Sequence, residues 1–243
     1  MKKISNPEIK IITIEDPIEY HLAGISQTQV EPTKGYDFAS GLRAIVRQDP
    51  DVILVGEIRD LETVDIALQA ALTGHLVLST LHTNDAAGTI ARLVSLGAKP
   101  FNIGPATNMA VAQRLLRRVC PDCGILEPPT QEEMAKLKES IQSAIPSLRQ
   151  KGVELPDIDE NLKIYHAKGC DKCSNTGYRG RIGIYEAFLI DSDVQKAILT
   201  ETSVVAIKEN AQKKGMLTMY QDGLVKVIQG ITTLDEVERV AEK

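Results

Sequence analysis

Tryptophan is absent from this 243-residue sequence, and aromatic residues make up only 4% of it. Proteins that bind single-stranded nucleic acid stack the bases on aromatic side chains, so this composition argues against such a platform. The formal net charge is −5, so the basic surplus of a nucleic-acid-binding domain is lacking as well. We therefore expect no nucleic acid as a partner.

Long apolar runs are also missing, and none approaches the roughly 20 residues that a membrane-spanning helix needs. The sequence starts with Met1, Lys2 and Lys3, but no apolar stretch follows them as it does in a signal peptide. Hydrophobic residues make up 43% and charged residues 25%, which is typical of globular proteins. We expect a cytoplasmic chain that reaches a membrane only through a partner.

The four cysteines fall into two pairs, Cys120 with Cys123 and Cys170 with Cys173. Each pair has the C-x-x-C spacing, and 46 residues separate the pairs. Four thiolates suit a tetrahedral, structural Zn²⁺ site, because no ligand position is left open for catalysis. Two reduced thiol pairs or a redox dithiol are the alternatives, but in a cytosolic setting the pattern favours zinc.

Three apolar runs, at 9–14, 52–55 and 75–80, read as strands. Helices are expected between them, capped by Asp37 and Asp60, and two more are expected at about 85–96 and 103–118. Strands that are apolar throughout and alternate with helices favour a parallel sheet covered on both faces. Chemistry in such sheets lies at the carboxyl ends of the strands.

Acidic residues follow two of these strands. Glu15, Asp16 and Glu19 come after the first, where a carboxylate can activate water in phosphoryl transfer. Glu57 follows the second strand through a glycine, in the position of a metal-binding carboxylate at a nucleotide site. The alternatives are a polar turn for the first group and a solvated strand end for Glu57.

His75 and His82 flank the third strand. A histidine at a strand end can sense a phosphate, although a lone histidine is more often a hydrogen-bonded structural residue. Because the two lie at opposite ends of one strand, we expect only one of them to touch a nucleotide.

The sequence changes character after Cys123. Thr130 with Glu133, and Thr233 with Glu236, form the capping-box pattern of a helix start, and Ser203 can cap a further helix. Residues 150–163 combine a glycine, a proline and four acids and read as a loop. A turn-rich segment after Cys173 leads into a short strand, and the last 50 residues read as helical.

Four stretches together resemble one family: "IITIEDPIEY", "GLRAIVRQDPDVILVGEIRDLET", "ALTGHLVLSTLHTNDA" and "CPDC…CDKC…TGYRGRIGIYE". They are similar, in this order, to the aspartate box, Walker B box, histidine box and tetracysteine zinc element of the secretion ATPases of type II secretion and type IV pilus assembly. The resemblance covers about residues 8–240, and the set of motifs is specific although each alone is weak.

The resemblance implies a homo-hexameric motor with a RecA-like core. Its ATP hydrolysis, with Mg²⁺, would act on an inner-membrane platform protein to drive pilin or pseudopilin assembly. By this resemblance, Glu15 would activate water, and Glu57 would act on Mg²⁺ with Arg59 beside it. The remaining positions match the family's nucleotide-site and zinc residues: Asp16, Glu19, His75, His82, Cys120, Cys123, Cys170 and Cys173.

One element of the family is missing. Its phosphate-binding loop has the pattern G-x-x-x-x-G-K-[ST], but none of the 17 glycines here is followed by lysine. We therefore expect a RecA-like parallel sheet without its P-loop strand. We also expect the loop to be encoded upstream of Met1. This chain alone should then have no ATPase activity. The alternatives are a zinc-stabilised interaction module without catalysis and an ATPase of a conjugation or DNA-uptake system.

We expect three segments along the chain. Residues 1–118 would form the partial ATPase core, 119–185 the zinc-binding subdomain and 186–243 the C-terminal helical region. The core would carry the segments that resemble the aspartate, Walker B and histidine boxes, and the zinc subdomain would carry all four cysteines.

Overall fold

The structure, a computed structural model, describes residues 1–200 and 203–241. The described chain forms two compact units. The first comprises Met1–Ala110 with the described residues of Leu189–Asn210, and the second comprises Val111–Phe188 with the described residues from Ala211 onward. No helix in the described ranges combines the length and the apolar character that crossing a membrane requires.

The strands are β1 (Ile11–Glu15), β2 (Ser26–Gln29), β3 (Val52–Val55), β4 (Leu76–Ser79), β5 (Met109–Val119), β6 (Ile125–Glu127), β7 (Ile164–His166) and β8 (Tyr178–Leu189). The helices are α1 (Phe38–Val46), α2 (Leu61–Leu72), α3 (Gly88–Ser95), α4 (Pro100–Ala106), α5 (Gln131–Ile141), α6 (Ile145–Gln150), α7 (Ser192–Thr200), α8 (Val204–Lys213), α9 (Met219–Ile228) and α10 (Leu234–Val240). Single 3₁₀ turns cover Pro32–Lys34, Gln142–Ala144 and Asp171–Cys173.

A four-stranded sheet with the order β2-β1-β3-β4 forms the framework of the first unit. All three strand pairs are parallel, which confirms the α/β class expected from the apolar runs. The core of this sheet is aliphatic, and Ile14, Ile53 and Val55 have no exposed surface. Since the strands are parallel, the residues that follow β1, β3 and β4 lie at the same edge.

Side-chain caps start the two helices that connect these strands. The Asp37 carboxylate accepts from the backbone N–H of Ser40 at 2.8 Å at the start of α1. Asp60 accepts from the backbone N–H of Thr63 at 2.8 Å at the start of α2. Both caps were expected from the sequence, and each satisfies a backbone donor that has no partner within its helix.

The two outer strands depart from the sequence prediction. Strand β2 was not predicted, because its sequence Ser-Gln-Thr-Gln is polar and has no apolar period. Strand β4 was predicted to be covered on both faces, but its residues Leu76 and Leu78 are 45% and 37% exposed. It is an edge strand of the sheet formed by the described residues.

The helix predicted for 103–118 is wrong. Helix α4 ends at Ala106, and the long strand β5 follows from Met109 to Val119. Its alanine, leucine and arginine residues favour a helix locally. The segment pairs instead with β8, a 12-residue strand of which only a short part was expected. A partner so distant in sequence leaves no local signal, so tertiary pairing overrides helix propensity.

An aliphatic core holds the second unit together. Leu116 of β5, Ile184 of β8 and Leu224 of α9 are fully buried in it. The predicted capping box at Thr130 is confirmed, with reciprocal bonds to Glu133. The box at Thr233 is only half formed: its hydroxyl accepts from the Glu236 N–H at 3.3 Å, whereas the Glu236 side chain binds arginines instead.

Candidate functional site

A crevice of about 450 Å³ lies at the carboxyl ends of β1, β3 and β4. Five of the residues singled out from the sequence line it. They are Glu15, Asp16, Glu57, Arg59 and His82, and they are joined by Pro17, Phe38, Leu54, Gly56 and Thr80. The parallel topology explains the grouping, because each strand brings its following turn to the same edge.

Glu57 is at the centre of the charged groups. Its side chain is 13% exposed and forms an ion pair with Arg59, and its Oε2 lies 3.1 Å from His82 Nε2. The Arg59 guanidinium holds the pKa of the Glu57 carboxyl below its usual range, against the opposing effect of burial, and His82 acts in the same direction as Arg59. Glu57 is therefore ionised at neutral pH, as a metal-binding carboxylate must be.

The turn that carries Glu57 is fixed by the glycine that precedes it in the sequence pattern and by Thr80, which sequence reasoning missed. A Cβ at Gly56 would lie 3.2 Å from the Ile14 carbonyl oxygen, so glycine allows this turn to approach β1. Thr80 donates its hydroxyl to the Gly56 carbonyl at 2.6 Å, and its own carbonyl accepts from the Ile58 N–H at 3.1 Å. Thr80 thus forms hydrogen bonds with the backbone on both sides of Glu57, at Gly56 and at Ile58. A threonine directly after an apolar strand was the available signal.

The side-chain carboxylate of Glu15, at the end of β1, accepts two hydrogen bonds. Thr13 Oγ1 donates to Glu15 Oε1 at 2.5 Å, and Gln27 Nε2 donates to the same oxygen at 2.9 Å. Gln27 lies on β2, the strand that the sequence did not reveal. Asp16 is exposed beside Glu15, and its charge adds to the larger effect of Glu57 in raising the pKa of Arg59.

Two predicted site residues do not line the crevice. Glu19 is exposed in the loop after β1. His75 lies at the amino end of β4, at the opposite edge of the sheet, with Nδ1 2.9 Å from the Ala70 carbonyl oxygen and 3.3 Å from Thr73 Oγ1. Of the two histidines, His82 is the one at the acidic edge, and its side chain is 81% exposed.

The four cysteines converge in the second unit, with all their sulfur atoms within 4.8 Å of one another. The Sγ atom of Cys173 is 3.8 Å from that of Cys123 and 3.7 Å from that of Cys170. Cys120 is fully buried and Cys173 nearly so. This cluster could hold a metal ion.

The sulfur atoms differ in how readily they ionise. Burial acts to raise the pKa of Cys173. The N–H groups of Cys170 and Gly177, each donating to its Sγ at 3.2 Å, together with the thiols of Cys170 and Cys123, outweigh burial and lower the pKa to about 6. Burial raises the pKa of the neighbouring Cys123 to about 12. The thiolate form is therefore favoured at Cys173 over Cys123, and thiolate is the form that binds metals.

A carboxylate outside the cluster joins the two cysteine turns. Asp122, between the first pair, accepts from Lys172 Nζ at 2.6 Å and from Arg179 at 3.2 Å. Lys172 lies between the second pair, so this ion pair links the two turns directly. The Lys172 ammonium is the largest cause that lowers the pKa of Asp122.

A parallel α/β sheet with an ionised, arginine-paired carboxylate at its carboxyl edge defines an α/β protein whose candidate site lies where such sheets bind their ligands. Residues 1–239 match the family described as "Type II/IV secretion system protein". This chain belongs to that family.

Curated relatives share this assignment. The chain is 48% identical over 237 residues to the type IV pilus assembly ATPase PilB of Thermus thermophilus, covering 98% of this chain and 25% of that protein. It is 46% identical over 244 residues to the type II secretion system ATPase E of Vibrio cholerae, covering 100% of this chain and 45% of that protein. The chain thus spans less than half the length of these relatives.

Solved structures agree with the fold. The crystal structure of the pilus retraction motor PilT with bound ADP superposes with a TM-score of 0.63 at 28% sequence identity. The match covers 97% of this chain and 53% of that chain. The expected family resemblance is therefore confirmed by both sequence and structure.

Proposed function

We propose that this chain is the C-terminal portion of a hexameric motor ATPase that couples ATP hydrolysis to pilin or pseudopilin assembly at the inner membrane. The observation that carries the proposal is the meeting of Glu15, Glu57, Arg59 and His82 in one crevice at the carboxyl edge of the sheet. Identity to named assembly and secretion ATPases over nearly the whole chain supports it.

In this proposal the two glutamates have separate tasks. Glu57 is ionised and paired with Arg59, so it fits the oxygen-ligand chemistry of Mg²⁺, either directly or through water. When bound, Mg²⁺ supplies positive charge against the phosphates. Glu15 lies on the adjacent strand and accepts the proton of the attacking water. Arg59, His82 and the exposed Asp16 complete the charged edge at which the nucleotide binds.

The remaining predicted nucleotide-site residues have indirect tasks in this proposal. His75 hydrogen-bonds the carbonyl of Ala70 near the end of α2, so it supports the start of β4. Glu19 lies in the exposed loop that follows Asp16. Neither side chain lines the crevice, so neither is assigned a direct contact with the nucleotide.

We place the phosphate-loop strand of a longer subunit beside β4, on the side that has no partner strand among the described residues. Leu76 and Leu78 are exposed on this edge strand although they are apolar. A further parallel strand beside β4 would add its own carboxyl end, and the loop after it, to the crevice. The greater length of the relatives is consistent with such a strand elsewhere in a longer subunit.

The cysteine cluster fits zinc by distance. A tetrahedral site with Zn–S bonds of about 2.3 Å separates its sulfurs by about 3.8 Å. The separations of 3.7 and 3.8 Å around Cys173 agree with this value. Bound zinc would hold the β5–β6 turn against the segment that precedes β8, and so would stabilise the second unit.

The wider assembly also belongs to the proposal. We place the motor on the cytoplasmic face of the inner membrane, as a homo-hexamer that binds a platform protein. The division into an ATPase core at 1–118, a zinc subdomain at 119–185 and a helical region at 186–243 stays a prediction.

A second candidate function is a zinc-stabilised interaction module without catalysis. The observation that favours it is that no glycine of the chain is followed by lysine, so the phosphate-binding loop pattern is absent from the sequence. ATP turnover by the complete subunit decides between the two functions.

The test compares Glu15→Gln with Glu57→Gln in that subunit. We expect Glu15→Gln to bind Mg-ATP normally and to lose hydrolysis by about 100-fold or more, the usual size of a lost general base. Glu57→Gln should also weaken the dependence on Mg²⁺, because a charge near the metal is gone. Glu62→Gln is the matched control, since Glu62 is exposed in an ion pair with Arg43. Wild-type hydrolysis in Glu15→Gln would overturn the proposal.

A further inference from the structure

Every polar atom of the Gln27 side-chain amide has a partner. Its Oε1 accepts from the Leu22 backbone N–H at 2.7 Å. Its Nε2 donates to the Tyr20 carbonyl oxygen at 3.1 Å and to Glu15 Oε1 at 2.9 Å. Because an N–H can only donate, the bond from Leu22 settles which end of the amide is oxygen. The nitrogen must therefore face Glu15.

Strand pairing places this amide beside the carboxylate. Gln27 on β2 is the register partner of Thr13 on β1, and Glu15 lies two residues after Thr13 on the same face of the sheet. Thr13 is fully buried, and its hydroxyl donates to Glu15 Oε1 at 2.5 Å. Gln27 and Thr13 thus converge on one oxygen from two neighbouring strands.

This arrangement makes the two Glu15 oxygens unequal. Oε1 accepts both hydrogen bonds, so it is held in place and its lone pairs are engaged. We propose that Gln27 is a positioning residue for Glu15, which together with Thr13 fixes Oε1 and leaves Oε2 to take the proton of the attacking water. The proposal rests on the proposed function, in which Glu15 is the general base.

Gln27 also connects this carboxylate to the loop after β1. Its contacts with Tyr20 and Leu22 tie the middle of that loop to the end of β1, where Asp16 follows Glu15. The same residue therefore holds both the general base and the loop beside it. Loss of the amide should affect the chemical step more than nucleotide binding, because Arg59, Glu57 and His82 lie on other elements.

The chain offers a matched control two residues along the same strand. Gln29 lies on the same face of β2 as Gln27, but its Oε1 accepts from the Ile18 N–H at 3.2 Å. Its side chain therefore contacts the same loop, whereas both side-chain bonds to Glu15 come from Thr13 and Gln27. Methionine keeps the length of glutamine and removes both the donor and the acceptor.

The experiment measures kcat and KM for ATP in the complete subunit carrying Gln27→Met, Gln29→Met, Glu15→Gln or both Gln27→Met and Glu15→Gln. We expect Gln27→Met to lower kcat by about 10- to 100-fold, the effect of a misplaced catalytic group, with KM unchanged. Gln29→Met should keep the wild-type kcat. In the Glu15→Gln background, Gln27→Met should cause no further loss, because it acts through Glu15.

Thr13→Val provides a second arm if Gln27→Met does not fold. It keeps the shape of a buried, β-branched residue and removes only the hydroxyl donor, so it should lower kcat in the same direction with KM unchanged. Equal kcat values for Gln27→Met, Thr13→Val and wild type would overturn this inference. If Glu15→Gln is inactive in the same experiment, the proposed function still holds. Full activity of Glu15→Gln would overturn both.

Discussion

Glu236 is a buried charge whose removal should destabilise the second unit by a measurable amount. Its side chain has no exposed surface, and its carboxylate accepts from Arg117 at 2.6, 2.8 and 3.0 Å and from Arg239 at 2.7 Å. Burial acts to raise its pKa, but the hydrogen bonds from Arg239 and Arg117 outweigh burial and lower the pKa from 4.5 to about 2. The network links β5 to α10.

The size of the effect follows from this shift. A carboxyl whose pKa falls from 4.5 to about 2 on folding contributes about 3 kcal/mol to the free energy of unfolding at neutral pH. The folded pKa is the lower one, so this contribution is fully present above about pH 5 and is lost as the pH falls towards 2. Near pH 3 about half of it should remain.

The assay is urea-induced unfolding of wild type and Glu236→Gln at pH 7 and pH 3. We expect the variant to be about 3 kcal/mol less stable at pH 7 and the gap to shrink by about half at pH 3. Glu238→Gln is the control on the same helix, because its ion pair with Lys136 is partly exposed and should contribute less than about 1 kcal/mol. A gap below about 1 kcal/mol at pH 7, or one that does not change with pH, would refute the reasoning.

The other predictions concern the metal and the isolated chain. Protein purified without added zinc should contain about one equivalent of Zn²⁺, and Cys123→Ser should release it and loosen the second unit. Asp122→Asn removes the ion pair with Lys172 but no thiolate, so it should keep the metal; full occupancy without Cys120 and Cys123 would contradict the assignment. The purified 243-residue chain should not turn over ATP, and turnover at an ordinary rate of about 1 per second or faster would show that the missing loop is dispensable.

The sequence was informative where a strand is apolar along its whole length. The buried runs at β1 and β3 predicted a parallel sheet with its chemistry at the carboxyl ends of the strands, and Glu15 and Glu57 do line one crevice there. Helix caps were predicted equally well, because the side chains of Asp37, Asp60 and Thr130 accept hydrogen bonds from backbone N–H groups three residues further on. In these cases the physical cause lies within a few positions along the chain.

The sequence was misleading where the cause lies far away along the chain. Strand β5 carries helix-favouring residues, and only its pairing with β8 makes it a strand. Glu236 matches a capping box, but Arg117 is 119 positions away and captures its carboxylate. Strand β2 is polar, and its role depends on lying beside β1.

The sequence by itself determined the family, the parallel sheet, the acidic strand ends and the four-cysteine pattern, because these features depend on residue type and local spacing. Only the tertiary structure decided that His82 rather than His75 lies at the acidic edge, and that Thr80 and Gln27 hold the two glutamates. Those contacts join different strands, and their geometry follows from strand order and register. Neither strand order nor register can be predicted from any single segment of the sequence.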